Sequence, residues 1–307
     1  YTRAVSSTSI AFYGSLANAN ADSSRINLTA SITAVVTPHG VTSTTLYFAP
    51  HKGNRVALYD GTRWVLYTFS ELSLALTASA GSIYDVWLYD NAGTLTLETL
   101  VWTNTTTRAT ALTTQDGVYV KTGATTRRYL GTFYCEGTST NEVVQSWGAP
   151  PPISALGSKQ HLWNLHCQET LDFLRFDSTD SYDDVGTSWL AWMNDTGNKV
   201  EFVCGLPETK VFMQFVACTR NSAAGNNMAV GIDIDGTSGN DAQTVQGPGQ
   251  QVAATGAQSN TSIYFGRPGV GYHYATMMAR GNAGTTRHIG DNTLTWTASA
   301  LSGWLMG

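Results

Sequence analysis

Acidic residues recur at short spacing in one segment of the second half of the chain. Asp177, Asp180 and Asp183 lie three residues apart, and Asp184 follows directly. Carboxylate oxygens are the ligands that Ca²⁺ prefers, but the order of acid, glycine and distal glutamate that defines an EF-hand loop is missing. We therefore predict a solvated loop without a metal, which could contact another molecule.

A second group of oxygen ligands begins at Asp233 and Asp235, with Asp241 nearby. Aspartate at the end of a strand more often caps a turn than binds an ion. The stretch 235–260 is rich in glycine, glutamine and serine. A long stretch without regular structure inside a compact domain is typical of a binding loop, so we predict an interaction loop with Asp235, Asn240 and Asp241 as candidate ligand-binding residues.

Histidine and cysteine could also provide metal ligands, at His161, His166 and Cys167. Because alternate residues of a strand face opposite sides, the two histidines are expected to point apart. We therefore predict no metal and no cofactor. Cys204 and Cys218 lie in two apolar segments that could pair as neighbouring strands, although reduced, buried thiols are the favoured interpretation.

Sequence motifs of hydrolases are absent. The chain has no Gly-x-Ser-x-Gly elbow and no His-Glu-x-x-His helix. The glycines of segment 266–271 precede an expected strand rather than a helix, so we predict a turn there and not a phosphate site. These patterns favour a protein that is not an enzyme.

Aromatic side chains offer a different kind of contact. Trp189 and Trp192 are three residues apart, which places them on opposite faces of a strand and leaves one of them exposed. Tryptophan is first of all a core or interface residue, and an exposed ring can also stack on a sugar. Both residues are therefore candidates for ligand binding.

Composition indicates a β-rich protein. Charged residues make up 13% of the 307 residues, about half of the usual share. Threonine, which suits strands, is abundant in their place. The net charge of −5, without a run of basic residues, disfavours nucleic acid, and no apolar stretch approaches the roughly 20 residues of a membrane helix. We expect neither nucleic-acid binding nor membrane insertion.

Short strand-like runs separated by turn signals follow one another along the chain, as in a sandwich or barrel. In the first half we predict strands at 43–49, 55–59, 62–68, 84–89, 94–102, 118–121 and 129–135, and one helical turn at 71–76. In the second half we predict strands at 161–167, 186–193, 199–206, 210–219, 228–233, 261–265, 271–280 and 303–306. Asp60-Gly61 and the segment 90–93 each predict a hairpin.

Three consecutive prolines at 150–152 predict a stiff connector. We therefore expect an all-β chain of two domains: a sandwich or barrel module at 1–135, a Gly/Pro-rich linker at 136–155, and a jelly-roll-like domain at 156–307. The chain begins with Tyr1 rather than Met, so we expect a longer N-terminal segment before it.

Residues 44–134 carry a long, specific string of motifs. It includes Gly53-Asn54-Arg55-Val56-Ala57-Leu58-Tyr59-Asp60-Gly61, Tyr84-Asp85-Val86-Trp87-Leu88-Tyr89-Asp90-Asn91-Ala92-Gly93 and Gln115-Asp116-Gly117-Val118-Tyr119-Val120-Lys121. This string resembles a module of tailed-bacteriophage structural proteins of the tail-fibre, head-fibre or capsid-decoration type. The resemblance implies a virion protein, assembled in the bacterial cytoplasm and exposed on the particle, and it implies no catalytic residue.

The C-terminal segment is apolar and ends at Gly307 without a charged tail. Such a terminus is expected to be buried at a symmetry axis, and we predict a homotrimer, as in the fibres and knobs that the chain resembles. The candidate interface residues are Tyr272, Tyr274, Trp304 and Met306.

The functional hypothesis is a structural virion protein that binds its own copies and other virion proteins, stabilises the particle and contacts the host. One alternative is a receptor-binding protein that recognises a host cell-surface polysaccharide through the loops 177–184 and 235–260. A second alternative is a polysaccharide depolymerase, although neither an elongated repeat nor a deep acidic cleft can be read from the sequence.

Overall fold

The computed structural model describes part of the chain. The described residues are 2–6, 9–12, 26–31, 34–37, 40–50, 54–136, 143–146, 158–166, 168, 170–177, 179–247, 249–251, 256–290 and 299–307. Cys167 and the proline segment 148–152 lie outside these residues, so the stiff connector stays a prediction.

The described residues are nearly all in strands or in the turns between them. In the first half the strands are β1 (Thr2–Ser6), β2 (Ser9–Phe12), β3 (Ile26–Ser31), β4 (Ala34–Thr37), β5 (Gly40–Ser43), β6 (Thr45–Pro50), β7 (Arg55–Tyr59), β8 (Trp64–Thr68), β9 (Leu72–Ala75), β10 (Ser82–Asn91), β11 (Thr94–Val101), β12 (Leu112–Gln115), β13 (Val118–Lys121), β14 (Ala124–Cys135) and β15 (Val143–Ser146).

The second half continues in the same way. Its strands are β16 (Lys159–Gln160), β17 (Leu162–Asn164), β18 (Thr170–Phe176), β19 (Ser181–Asp184), β20 (Leu190–Ala191), β21 (Lys199–Cys204), β22 (Val211–Asn221), β23 (Asn227–Ile234), β24 (Thr244–Gly247), β25 (Gly249–Gln250), β26 (Gln258–Gly266), β27 (Gly271–Gly281), β28 (Thr286–Ile289) and β29 (Ala300–Met306). One 3₁₀ turn, Trp192–Asn194, interrupts them.

The expected all-β class is confirmed, with several sheets in sandwich-like domains and, among the described residues, no helix of seven or more residues. No described helix is long and apolar enough to cross a membrane.

The first half forms its core between three small sheets. A six-stranded sheet, ordered β11-β10-β14-β13-β12 with β17 beside β14, faces the three-stranded sheet β3-β6-β9 and the hairpin β7-β8. Strand alternation points one set of side chains inward. Leu46, Leu58, Val86, Leu88 and Phe133 are almost completely buried there.

The second half forms a β-sandwich of two larger sheets. One sheet has the order β25-β23-β27-β21-β16-β15-β5-β4, with β20 beside β27, and the other has the order β18-β29-β22-β26-β24, with β28 and β19 at its side. The residues between them include Phe202 and Met277 of the first sheet and Met213, Phe215 and Leu305 of the second, all fully buried. Strict alternation of buried and partly exposed residues along β22 fixes which face is inside.

Strands cross the position at which we predicted the domain boundary. Strand β17 pairs with β14 of the first half, and β15 links β5 to β16. Residues 143–146, inside the predicted linker, are therefore a strand rather than a connector. The two halves therefore share sheets, since β17 and β15 form backbone hydrogen bonds with strands of the first half.

Two local predictions need correction in the first half. The segment that we predicted as a helical turn forms strand β9, which pairs with β6. Asp60-Gly61 does begin a hairpin between β7 and β8, but the connection has four residues. Asp60 accepts hydrogen bonds from the N–H groups of Thr62 and Arg63, both at 2.8 Å, and only Gly61 has a positive φ.

The second predicted hairpin is confirmed. Asn91 pairs with Thr94, so Ala92 and Gly93 form a two-residue turn between β10 and β11. Both residues have positive φ, 51° and 93°. This is the geometry that matches the twist of the strands on either side.

One prediction for the second half is also wrong, whereas the favoured interpretation of the two cysteines as reduced thiols is confirmed. The stretch 235–260 is not structureless, since it contains β24, β25 and the start of β26. Cys204 and Cys218 do not lie on neighbouring strands, because β21 and β22 belong to different sheets, and both thiols are free. Segment 266–271 connects β26 to β27, with positive φ at Gly269 and Gly271, as a turn requires.

Candidate functional site

An unusual cluster of charged side chains lies where the two halves meet. Glu136 follows the end of β14, His161 lies between β16 and β17, and Glu201 lies on β21. One ligand-type atom from each of these residues lies within 4.8 Å of the other two. No sequence pattern predicted this cluster, because the three residues are far apart along the chain and lie on different elements.

The imidazole of His161 is at the centre of the cluster and is completely buried. Its Nδ1 lies 3.5 Å from Oε2 of Glu136, and its Nε2 lies 3.5 Å from Oε2 of Glu201. Neither ring nitrogen has a partner at hydrogen-bonding geometry, and the same is true of Oε2 of Glu136. A buried polar group without such a partner costs about 1–3 kcal/mol, so the arrangement requires an explanation.

Two lysines neutralise the carboxylates from the other side. Lys159 contacts Oε1 of Glu136, and Lys199 lies 2.9 Å from Oε1 of Glu201. Each carboxylate therefore binds a lysine through one oxygen and turns the other oxygen towards His161. Burial acts to raise the pKa of Glu201, but the neighbouring His161, Lys199 and Lys159 outweigh it and lower the pKa to about 2.

Tyrosine rings close the cluster. Tyr134 stacks on Tyr272 with ring centroids 4.3 Å apart, and both rings pack near the imidazole of His161. The hydroxyl of Tyr272 hydrogen-bonds to Glu201, and burial together with the charge of Glu201 raises the pKa of this hydroxyl. Tyr272 was a candidate for an interface between subunits, but its ring contacts the first half of its own chain. Tyr274 lies two residues further along β27, under the ammonium of Lys199 at 4.8 Å.

A second candidate site is the outer face of the seven-stranded sheet. Phe212 of β22 pairs directly with Phe265 of β26 on one side and with Trp304 of β29 on the other. The rings of Phe212 and Trp304 stack with centroids 6.0 Å apart. Phe265 is 58% exposed and Val245, on the next strand, is 71% exposed. We call this set, with the partly exposed Met306, the apolar sheet face.

The acidic residues of segment 177–184 differ in burial. Asp177 is buried, which contradicts the predicted solvated loop: it accepts hydrogen bonds from the backbone N–H of Thr179 and from the amide of Asn198. Asp183, on strand β19, forms an ion pair with Arg287, and Asp180, just before this strand, is exposed.

The second acidic group stabilises its own loop. Asp235 accepts a hydrogen bond from the backbone N–H of Tyr274 and contacts Nδ1 of His273 at 2.7 Å. The Asn240 amide oxygen accepts a hydrogen bond from the N–H of Ile232, and the Asp241 carboxylate caps the following turn at Gln243. All three side chains are bonded within the chain, and Asp235 is also exposed.

The two tryptophans differ in exposure, since Trp189 lies near the surface and Trp192 lies in the core. Trp189 is partly exposed beneath Arg280, whose guanidinium carbon lies 5.7 Å from the ring centroid. Trp192 is completely buried and stacks on His288 at 4.6 Å. One member is thus accessible, but the reason is the 3₁₀ turn at Trp192 rather than strand alternation.

His161 and His166 are in different environments. Nε2 of His166 lies 3.0 Å from the carbonyl oxygen of Tyr129, whereas His161 faces the carboxylates. Burial lowers the pKa of His166 to about 4, which keeps this ring neutral.

Comparisons with known proteins add little to this geometry. No protein-family model matches the chain, and no curated protein matches it significantly. A solved structure of infectious bursal disease virus, Gx strain, is 11% identical with a TM-score of 0.16, over 90% of this chain and 81% of that chain. A similarity this low does not indicate a common fold.

Proposed function

We propose that the chain is a structural protein of a bacteriophage virion, without enzymatic activity, that assembles with its own copies and with other virion proteins. The proposal rests on the module resemblance at residues 44–134 and is supported by one observation, the apolar sheet face. An exposed, contiguous apolar patch on a sheet is typical of a surface that is covered by another protein.

The geometry of this face suits self-association. Three aromatic side chains stand in one row across adjacent strands, next to Met306 near the chain end. Aromatic residues and methionine are enriched in protein interfaces, and a cyclic assembly places the same patch of every subunit around its axis. A homotrimer would bury this face, with the first half directed towards the particle and the second half projecting outward.

Light scattering tests this proposal. The purified chain should have a mass near three times 32.9 kDa, and the variant Phe265→Lys should shift the mass towards that of a monomer. Leu66→Lys is the matched control, because Leu66 is also 58% exposed but lies in the hairpin β7-β8 of the first half. A monomeric wild-type chain, or dissociation by both variants alike, would contradict assembly through the apolar sheet face.

A second function is favoured by the same row of rings. Flat aromatic faces exposed side by side can stack on the apolar faces of sugars, so the alternative is a receptor-binding protein that recognises a host surface polysaccharide. Its support here is the row of rings, since Asp177 and Asn240 of the two acidic loops are hydrogen-bonded within the chain. Binding of the full chain to host polysaccharide, lost in Phe265→Ala but not in Leu66→Ala, would favour the receptor-binding function. A depolymerase would in addition release reducing sugar.

A further inference from the structure

The distances around His161 suit a cation bound between the imidazole and a carboxylate. Each ring nitrogen of a buried imidazole needs a partner, whether it carries an N–H or a lone pair, and neither nitrogen of His161 has one at hydrogen-bonding geometry. Both facing pairs are 3.5 Å apart. Two electron-rich atoms at this distance inside a protein repel each other unless a proton or a metal ion lies between them.

The 3.5 Å separation distinguishes a bridging proton from a bridging metal ion. A protonated imidazole that bridges two carboxylates would form charge-assisted hydrogen bonds of about 2.7–2.9 Å, shorter than those found here. Two ligands bound about 2.1 Å from a tetrahedral zinc ion lie roughly 3.4 Å apart. The 3.5 Å spacing at the nitrogen that binds the ion therefore fits the edge of a metal site better than it fits a hydrogen bond.

We propose that Glu136, His161 and Glu201 bind one zinc ion, or a related divalent transition-metal ion, at the junction of the two halves. Each contributes one atom, and the three atoms lie within 4.8 Å of one another. One imidazole nitrogen and two carboxylates suit zinc and related transition ions, whereas Ca²⁺ and Mg²⁺ select oxygen ligands alone.

Lys159 and Lys199 each contact a carboxylate oxygen that does not face His161. Lys199 holds Oε1 of Glu201 and leaves Oε2 for the ion. Lys159 is the competitor, since its ammonium also lies 4.0 Å from Oε2 of Glu201. Its side chain is 29% exposed and flexible, so it can turn into solvent when the ion binds.

Such an ion would stabilise the junction. Glu136 directly follows β14 of the first half, and Glu201 lies on β21 in the sandwich of the second half. Because the site exists only when both halves are folded and docked, binding adds to the stability of the folded chain.

The test is zinc binding by the full chain after removal of metal with a chelator. Competition with a chromogenic zinc indicator should give one zinc per chain, and zinc should raise the melting temperature while calcium should not. Glu136→Gln, a substitution at a partly exposed position that the fold should tolerate, and His161→Ala should each weaken zinc binding by at least about tenfold. Glu71→Gln is the control, because Glu71 is exposed and distant from the cluster in the chain.

Lys159→Met separates the metal site from a purely ionic cluster. If zinc binds as proposed, this variant binds zinc more tightly than the wild-type chain, because the competing ammonium is gone. The proposal is overturned if the folded wild-type chain binds no zinc, or if Glu136→Gln and Lys159→Met, folded as judged by circular dichroism, bind it as the wild type does.

Discussion

Arg108, in the first half of the chain, donates a hydrogen bond of 2.6 Å to the backbone carbonyl oxygen of Gly205 in the second half. The same guanidinium forms an ion pair of 2.8 Å with the buried carboxylate of Asp85 and lies 4.4 Å from the ring centroid of Trp102. A second hydrogen bond between the halves lies nearby, and in it the N–H of Tyr272 donates to the carbonyl oxygen of Thr105. The halves are therefore docked through specific polar contacts.

Substitution of Arg108 by methionine is expected to lower the free energy of unfolding by about 3–5 kcal/mol, because it leaves the charge of Asp85 buried without its cationic partner. Chemical denaturation measures the change. Arg63→Met is the control and should have little effect, since that side chain is 81% exposed in its ion pair with Asp60. The double variant Arg108→Met/Asp85→Leu should recover part of the loss; a loss below about 1 kcal/mol in the single variant would contradict a role for this ion pair in docking.

Gly205 is expected to tolerate no side chain. A Cβ atom at this position would lie 2.1 Å from the ring of Trp163, which is itself completely buried. Gly205→Ala should therefore destabilise the chain by about 1–3 kcal/mol or more, as overpacking of a core does. Thermal unfolding tests this, with Gly197→Ala for comparison, where the new Cβ would approach only the exposed carboxylate of Asp195. Equal melting temperatures for the two variants would show that Trp163 can move aside.

Acid should destabilise the protein between about pH 6.5 and pH 4. Burial lowers the pKa values of His166 and His288 to about 4. The unfolded chain takes up protons first, near pH 6.5, so each neutral histidine contributes stability that is present above that pH and is lost as the pH falls towards 4. The loss by pH 5 should be roughly 2 kcal/mol for each residue. Urea unfolding followed by tryptophan fluorescence at several pH values measures it.

His288→Phe isolates one of these contributions. The variant keeps a ring that can stack on Trp192 but cannot titrate, so its stability should fall less between pH 7 and pH 5 than that of the wild type. Burial also raises the pKa of Asp85, an effect of opposite sign, but it is common to both proteins and cancels in the comparison. Identical pH dependence in the two proteins would rule out a contribution from His288.

The turn at Ala92 offers a stabilising substitution. Ala92 has a φ of 51°, a left-handed conformation that costs an L-residue about 1–2 kcal/mol. Asparagine adopts this conformation more readily and precedes glycine in many two-residue hairpins, so Ala92→Asn should raise the stability by roughly 0.5–1 kcal/mol. Ala80→Asn is the control, since Ala80 also precedes a glycine of positive φ but does not have a positive φ itself. A stability gain in Ala80→Asn of the same size would mean that the turn geometry is not the cause.

The sequence by itself determined the β class and the position of most strands. Alternation along β22 and the turn residues at Ala92 and Gly93 are local signals, and a strand or a tight turn depends on only a few neighbouring residues. One prediction failed although a local signal was present. The segment of β9 was predicted as a helical turn, but Leu72, Leu74 and Leu76 recur at every second residue, which is the period of a strand.

Only the tertiary structure decided which strands are neighbours and therefore which side chains meet. Glu136, His161 and Glu201 come together because β16 pairs with β21 and β17 pairs with β14, and none of these pairings can be read from spacing along the chain. The row of Phe212, Phe265 and Trp304 likewise depends on the register between three strands. Register between distant strands is set by the packing of whole sheet faces, and a shift of one residue would turn each side chain to the opposite face.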